Sequence, residues 1–248
     1  MYNIYIITSS IKNYIKSTNE LHRSFYIMED NIMEIRIKDP GSAITHFIGM
    51  IAATGAAMPL IFKAFTTSGK VSGVSCTIFM LSMILLYAAS TAYHTFDISE
   101  RVNLILKKID HAMISVLIAG SYTPVCLLVL DKAVGIPLLI VVWSIALAGI
   151  AIKLLWVTCP KWFSSILYIG MGWACVAAFS NLWANLPTAA FIWLVAGGIF
   201  YTVGGVVYAL KLKFFNARHK YFGSHEIFHV FVLLGSACHF VVMFCYVA

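Results

Sequence analysis

Seven mostly apolar blocks, each about 20 residues long, recur along this chain. A helix of about 20 residues is as long as the hydrocarbon core of a bilayer is thick, which is about 30 Å. The blocks cover residues 43–63, 73–93, 111–130, 134–153, 163–183, 188–210 and 225–247. The pattern predicts an all-α, polytopic membrane protein in which seven transmembrane helices form a bundle.

Composition supports a membrane protein and indicates which classes of partner it has. Hydrophobic residues make up 61% of the 248 residues and charged residues only 11%, which is not typical of a soluble globular domain. Polar and apolar residues do not alternate with a period of two, so we do not expect a β-barrel. The net charge of +7 lies in connecting loops and not in a basic stripe with exposed aromatics. We therefore expect membrane lipids as partners and no nucleic acid.

The distribution of Lys and Arg predicts how the bundle is oriented. Fourteen of the 17 Lys and Arg residues lie before the first block or in the second, fourth and sixth connections. Only Lys63, Lys70 and Lys132 lie on the opposite side. Because positive loops are retained in the cytoplasm, we expect the N-terminus to be cytoplasmic and the C-terminus to face outside.

The chain divides into a polar N-terminal segment, residues 1–38, and a membrane domain, residues 39–248. The segment lacks the pattern of a signal peptide, and Met28 and Met33 are alternative start positions within it. Six cysteines are scattered singly along the chain without a Cys-x-x-Cys pair. We expect these cysteines to be small, buried, apolar side chains.

Polar side chains that are unusual in a membrane helix fall at one predicted depth. Ser90 and His94 lie at the end of the second block, and Asp110 opens the third. His225 and His229 open the seventh block, four residues apart, so a helix places both imidazoles on one face. In the predicted topology all five positions lie at the cytoplasmic leaflet.

These residue types are those of a zinc site. We expect His94, His225 and His229 to bind zinc directly, because three histidines with an open fourth position are typical of catalytic zinc. Asp110 is expected to hold the water that zinc activates, and Ser90 to form a hydrogen bond near it. Taken singly, each residue is explained better by water or lipid headgroups at a helix end. The shared depth of the whole set favours the metal.

The run from His225 to His229 also fits the His-Glu-x-x-His signature of zinc peptidases, in which the Glu is the general base. The extended form of that signature requires Gly and His where this chain has Val232 and Gly235. An acidic residue in the first turn of a helix is also stabilised by the helix dipole. We assign Glu226 this ordinary capping role in preference to the role of a base.

Three other histidines receive different assignments. His239 lies 14 residues after His225, about 20 Å deeper by helical rise, so we expect it to form a hydrogen bond with a neighbouring helix. His111 points about 100° away from Asp110 on a helix and is expected to be a bystander. His46 has two alternatives: it supports the metal ligands, or it is an interfacial side chain.

Six ordered runs of the chain carry a family resemblance: Asp39-Pro-Gly-Ser-Ala-Ile-Thr-His46, Ser90-Thr-Ala-Tyr-His94, Lys108-Ile-Asp110-His111, Ala119-Gly-Ser-Tyr-Thr-Pro124, His225-Glu-Ile-Phe-His229 and Gly235-Ser-Ala-Cys-His239-Phe. Together these runs resemble the bacterial hemolysin III family, which is similar to the eukaryotic progestin and adipoQ receptors (PAQR). The resemblance extends from about Asp39 to the last residue of the chain.

The resemblance implies seven helices and a zinc ion held near the cytoplasmic face by the residues that match His94, His225 and His229. Ser90 and Asp110 match residues that complete the site in the receptor relatives. Those relatives are associated with ceramidase-like hydrolysis of lipid amides. The resemblance therefore implies a protein of the bacterial cytoplasmic membrane that holds a lipid substrate or ligand within its bundle.

Three functions remain open from the sequence. The first is a zinc-dependent hydrolase of lipid amides that acts in membrane lipid homeostasis. The second is a cytolysin, a membrane-permeabilising protein with a structural zinc, although no block carries the repeated charged face of a dedicated pore. The third is a receptor-like regulator of membrane lipid state, also with a structural zinc. An intramembrane peptidase is a distant fourth alternative.

Overall fold

The computed structural model describes residues 37–210 and 223–248, together with three helical residues, Lys16, Thr18 and Glu20. The chain divides into two units, Met1–Arg36 and Ile37–Ala248. The alternative start positions Met28 and Met33 lie outside the described residues. The same holds for the Lys and Arg residues between positions 211 and 220, which contributed to the predicted orientation.

The second unit contains seven helical spans that are long and apolar enough to cross a membrane, counted over the described residues. Short π-helical turns, Val125–Val129 and Met243–Val247, extend two of the helices, and a 3-10 turn, Trp173–Ala178, joins two shorter helices into one span. The helices are α1 Pro40–Thr67, α2 Gly69–Thr95, α3 Glu100–Pro124, α4 Lys132–Leu155, α5 Lys161–Gly172, α6 Phe179–Asn185, α7 Thr188–Leu210 and α8 Ser224–Val242.

Each predicted apolar block matches one of these spans, with only the third extending one residue beyond its span, and no strand occurs in the ranges that the structure describes. The prediction of an all-α bundle of seven transmembrane helices is therefore confirmed. The orientation of the two termini stays a prediction, because it rests on loop charges alone.

The largest difference from the predicted boundaries lies at α3, which begins at Glu100 and not near residue 111. Ser99 caps this helix by accepting a hydrogen bond from the Val102 N–H, and Glu100 in the first turn complements the helix dipole. The first turns of α3 are polar, so a count of apolar residues does not include them. Asp110 consequently lies about three turns inside α3 and not at its start.

Small residues allow the helices to approach closely. A Cβ atom at Gly120 of α3 would collide with the Ser82 side chain of α2, and one at Gly235 of α8 would collide with the Tyr201 ring of α7. Such contacts are typical of helix packing in membranes. Helix α1 packs against both α2 and α8, so the first and last spans are neighbours. The start of α1, the end of α2 and the start of α8 therefore meet at one face of the bundle.

Hydrogen bonds between helices hold the deeper part of the bundle. The Tyr87 hydroxyl of α2 donates to Ser236 Oγ of α8 at 2.7 Å, and the Tyr201 hydroxyl of α7 lies 2.8 Å from the same oxygen. The ring of His239 of α8 packs edge-on against the Tyr201 ring of α7 at a centroid distance of 5.4 Å. Unpaired polar groups are costly in hydrocarbon, so these bonds help to fix how the helices are rotated. The predicted hydrogen bond of His239 to a neighbouring helix stays a prediction.

Candidate metal centre

Three histidines converge where α2 ends and α8 begins. His94 is the residue before the last of α2, whereas His225 and His229 occupy the first two turns of α8. One ring nitrogen from each of the three lies within 4.8 Å of the other two. The fold thus brings together the three histidines that the sequence indicated as ligands, although α2 and α8 are far apart in the chain.

The spacing of two of the imidazoles, those of His94 and His225, fits a tetrahedral metal. Nε2 of His225 and Nε2 of His94 are 3.1 Å apart. Two nitrogens that bind zinc at about 2.0–2.1 Å with tetrahedral angles lie about 3.3 Å apart. Imidazole ligands suit zinc, copper, iron and nickel. The donor set therefore defines a site that could hold a transition metal, without specifying which one.

Hydrogen bonds on the outer side of two rings direct their inner nitrogens towards the site. His94 Nδ1 lies 3.0 Å from Asp39 Oδ2. His229 Nδ1 lies 3.3 Å from the Ser42 carbonyl oxygen and 3.2 Å from Thr45 Oγ1. In each ring Nδ1–H donates to an oxygen, so the lone pair of Nε2 is free to bind a metal. Such outer partners orient metal-binding histidines and, where the partner is a carboxylate, make the imidazole more basic.

Asp39 is a residue of the candidate site that the sequence did not indicate, because it entered only as the first residue of a family motif. Besides the side-chain contact, its backbone N–H donates to the His94 carbonyl at 2.9 Å. Both contacts attach the residue before α1 to the end of α2. The available signal was an acidic residue directly before the helix-starting Pro40, at the same predicted depth as His94.

His46 packs directly against one of the three histidines. Its ring stacks on the ring of His229 with a centroid distance of 3.6 Å and an interplanar angle of 7°, and only 3% of the residue is exposed. Neither ring nitrogen of His46 has a hydrogen-bond partner among the described residues. The structure therefore decides between the two alternatives: His46 is buried beside the histidine cluster and does not lie at the interface.

A cavity extends from the histidines into the bundle. Ser90, Asp110, His225 and His229 lie on its wall. Its volume is about 120 Å³, and because one water needs about 10–15 Å³ of such space, several fit. Ser90 Oγ and His225 Nδ1 are buried without a partner within the described ranges. A buried unpaired polar atom costs about 1–3 kcal/mol, so both atoms indicate that the cavity holds a polar ligand or water.

Asp110 lies on the cavity wall next to His111. Its Oδ2 is 3.3 Å from His111 Nδ1, which also lies 2.9 Å from the Lys107 carbonyl oxygen. Asp110 is near enough to His94 and His46 to interact with them electrostatically. The expectation that His111 is a bystander is wrong, because its ring turns back towards the preceding helical turn and reaches the Asp110 carboxylate.

Glu226 has the capping role predicted from the sequence. Its carboxylate accepts a hydrogen bond from the Ser42 hydroxyl at 2.6 Å and another from the Gly223 N–H, just before α8, at 2.7 Å. Glu226 is not among the described residues that line the cavity. The carboxylate is therefore occupied at the helix end, and the general-base role of the peptidase signature has no geometric support.

Comparison with known proteins shows that most of the chain is similar to one family. Residues 35–240 match the family model described as Haemolysin-III related. The chain is 41% identical over 206 residues to the Hemolysin-3 homolog of Bacillus subtilis (strain 168), which covers 82% of this chain and 92% of that protein. It is 37% identical over 206 residues to Hemolysin-3 of Bacillus cereus, covering 83% and 90%. The Adiponectin receptor protein of Drosophila melanogaster is 23% identical over 237 residues, 82% of this chain and 49% of that protein.

Proposed function

This chain belongs to the haemolysin-III-related family, and on that premise we propose that it is a zinc-dependent hydrolase of membrane lipid amides. One observation carries the proposal: His94, His225 and His229 converge on a single point, beside a cavity inside a membrane-spanning bundle. The metal ligands and the space for a substrate thus adjoin each other.

We assign the metal as zinc, with the three histidines as its protein ligands. Three histidines leave a fourth coordination position open, which is typical of catalytic and not of structural zinc. When bound, zinc supplies Lewis-acid chemistry, because it polarises a carbonyl and activates water. Asp39 and the Ser42 carbonyl hold the outer Nδ1–H groups of His94 and His229, and so keep both rings in the tautomer that a metal requires.

Asp110 and Ser90 are the remaining polar groups that the proposed reaction uses. The Asp110 carboxylate lines the same cavity as His225 and His229, and it accepts the proton of the attacking water. His111 holds this carboxylate in place. The Ser90 hydroxyl is buried and has no partner in the described ranges, so it is available to form a hydrogen bond to the reacting amide.

The surroundings of the cavity favour a lipid as the substrate. Away from the histidines, most of the wall consists of apolar and aromatic side chains, among them Leu86, Ile114, Phe228 and Val232. An acyl chain is compatible with such a wall, whereas a charged peptide strand is not. Hydrolysis of the amide yields a fatty acid and an amine, a reaction that changes membrane lipid composition. The loop charges place this site at the cytoplasmic face in our proposal.

Metal content and turnover of detergent-purified protein test the proposal. We expect about one zinc per chain in the native protein and little in His94→Ala or His225→Ala. His239→Gln is a matched control for zinc content, because this buried histidine lies deeper in the bundle. Release of fatty acid from a ceramide should fall with the zinc. A folded native protein without metal would contradict the site, and one with full zinc but no amide turnover would contradict the hydrolase.

Lysis is a second candidate, because the relative from Bacillus cereus, 37% identical over 206 residues, carries the name Hemolysin-3. In this alternative the metal is structural and the bundle perturbs a bilayer. Leakage of a dye from lipid vesicles distinguishes the two. Leakage that persists in the zinc-free His225→Ala variant favours lysis, whereas ceramide turnover without leakage favours the hydrolase.

A further inference from the structure

A second buried polar cluster lies apart from the histidines, where α4 ends and α5 begins. Lys153 is in the last turn of α4 and is only 1% exposed. Its Nζ donates to Cys159 Sγ at 3.0 Å and to Ser164 Oγ, and these two acceptor atoms are 3.3 Å apart. We call these three residues the lysine–cysteine cluster. We propose that hydrogen peroxide converts Cys159 and Lys153 into a covalent S–N cross-link, so that this cluster is an oxidative modification site.

The charge of Lys153 requires an anion inside the cluster. A buried ammonium is costly unless an opposite charge compensates it. In the described part of the chain, no Asp or Glu carboxylate lies within salt-bridge distance of Lys153. The acceptors that Nζ does contact are the Cys159 sulfur and the Ser164 hydroxyl. Cys159 is the acidic one of the two, so its thiolate is the counter-ion.

The surroundings of Cys159 favour this thiolate. Burial opposes ionisation, but hydrogen bonds from Ser164 and Lys153 and the Lys153 charge outweigh burial, so the pKa of Cys159 is lowered below its ordinary value. Thiolates are the form of cysteine that peroxide oxidises. Cys159 is 6% exposed, which restricts attack to small reagents. Hydrogen peroxide is not much larger than water and meets this restriction.

The first step oxidises sulfur by two electrons. The Cys159 thiolate attacks one oxygen of hydrogen peroxide, an S–O bond forms, and the O–O bond breaks. The leaving hydroxide takes a proton from the Lys153 ammonium, which lies 3.0 Å from the sulfur. The products are a sulfenic acid on Cys159, one water and a neutral amine on Lys153. The peroxide is reduced, and the total charge stays zero.

The second step uses the amine that the first step produces. The Lys153 nitrogen attacks the sulfenic sulfur, an S–N bond forms, and the S–O bond breaks. The leaving oxygen departs as a second water after it takes a proton from the nitrogen. The hydrogen-bond distance between Nζ and Sγ means that the reacting atoms are already adjacent. A thiol reductant reverses the bond and restores both side chains.

The cross-link affects the cavity wall as well as the cluster. Ser164 lines the main cavity, and the reaction removes both the charge of Lys153 and its hydrogen bond to Ser164. Because Ser164 lines the same cavity as His225 and His229, the cluster lies on the same side of the bundle as the histidines. The proposal does not depend on a metal or on hydrolysis.

Peptide mass spectrometry of the full chain in detergent micelles tests the proposal. After hydrogen peroxide treatment, the protein is denatured, alkylated and digested with trypsin, and the peptide covering residues 133–161 is followed. We expect this peptide to remain uncleaved at Lys153, to lose two hydrogens, and to resist alkylation until dithiothreitol is added. A sulfinic acid with normal cleavage at Lys153 would overturn the proposal, as would a cross-link that retains oxygen.

Variants test the oxidation of the Cys159 thiolate and the formation of the S–N bond as two separate steps. Lys153→Arg keeps the positive charge but removes the attacking amine, so we expect a sulfenic acid that dimedone traps, and no cross-link. Ser164→Ala keeps both reacting groups, so the cross-link should persist. Cys245, an exposed cysteine near the end of the chain, is the internal reference. Cys159 should react about tenfold faster than Cys245 at neutral pH despite its burial, and equal or slower reaction would contradict the activated thiolate.

Discussion

The histidine cluster and the lysine–cysteine cluster are both buried polar groups at one face of the same bundle, but their hydrogen bonding differs. The histidine cluster consists of His94, His225 and His229. In it His225 Nδ1 has no partner in the described residues, and the same holds for both nitrogens of His46 and for Ser90 Oγ beside it. In the lysine–cysteine cluster, every polar side-chain atom contacts another member.

This difference indicates what each cluster is suited to do. Unpaired polar atoms beside a cavity are stabilised when something binds there, so the histidine cluster is suited to an external ligand. A cluster that satisfies its own hydrogen bonds and balances its own charge needs no ligand. Its reactivity comes instead from the close contact between a thiolate and an ammonium. The following variants test the comparison, from the largest expected effect to the smallest.

Replacing a histidine should abolish metal binding at the histidine cluster and leave the lysine–cysteine cluster unchanged. In His229→Ala we expect zinc to fall from about one per chain to less than about a tenth, because a three-ligand site that loses one ligand binds weakly. Elemental analysis measures the metal, and peroxide cross-linking of Cys159 in the same sample measures the second cluster. Loss of both functions together would mean that the two clusters are not independent.

Replacing Asp110 should separate catalysis from metal binding. Asn has nearly the shape of Asp but cannot accept the proton of water, so Asp110→Asn should keep its zinc and lose about 10²–10⁴-fold in ceramide turnover. Fatty-acid release and zinc content are measured on one preparation. If turnover were unchanged, Asp110 would not be the proton acceptor. If zinc were lost as well, Asp110 would contribute to holding the metal.

Replacing Asp39 tests how much its hydrogen bond to His94 contributes to metal affinity. The carboxylate holds Nδ1–H of His94 at 3.0 Å, and loss of such a partner typically weakens metal affinity about 10–100-fold. We therefore expect Asp39→Asn to release zinc to a chelator at correspondingly lower chelator concentration. Thr45→Val is a matched comparison, because Thr45 contacts His229 through a neutral hydroxyl and should have a smaller effect.

The pH dependence of Cys159 tests the ion pair in the other cluster. Because the pKa of this thiol is lowered in the folded chain, its alkylation should reach half-maximal rate below the usual value of about 8.5. In Lys153→Met the midpoint should rise to that value or above it. The pair stabilises the fold above the pKa of the unfolded thiol, and this stabilisation is lost as pH falls through the folded pKa. Identical pH profiles in the two proteins would exclude the ion pair.

Replacing Glu226 should have the smallest effect on function. Its carboxylate caps α8 and contacts Ser42, so Glu226→Gln should keep its zinc and its turnover while losing about 0.5–2 kcal/mol of stability. Thermal unfolding in detergent measures the stability. A loss of turnover comparable to that of Asp110→Asn would restore the peptidase interpretation, in which this Glu is the base.

The number and type of the helices could be predicted because membrane hydrocarbon imposes one requirement on every span. About 20 apolar residues are needed to cross it, and backbone groups must be paired within the helix. The prediction failed at the start of α3, where Ser99 and Glu100 begin a helix with polar residues. That stretch is stabilised by capping and by neighbouring helices, so hydropathy does not reveal it.

The sequence by itself determined the number and approximate positions of the spans, because hydrophobic length depends only on residues close together in the chain. It thereby indicated His94, His225 and His229 as one group. Only the tertiary structure decided that Asp39 contacts His94, that His46 stacks on His229, and that Lys153 contacts Cys159. These contacts depend on how each helix is rotated about its axis and on which rotamers its neighbours allow. Packing between distant segments sets both.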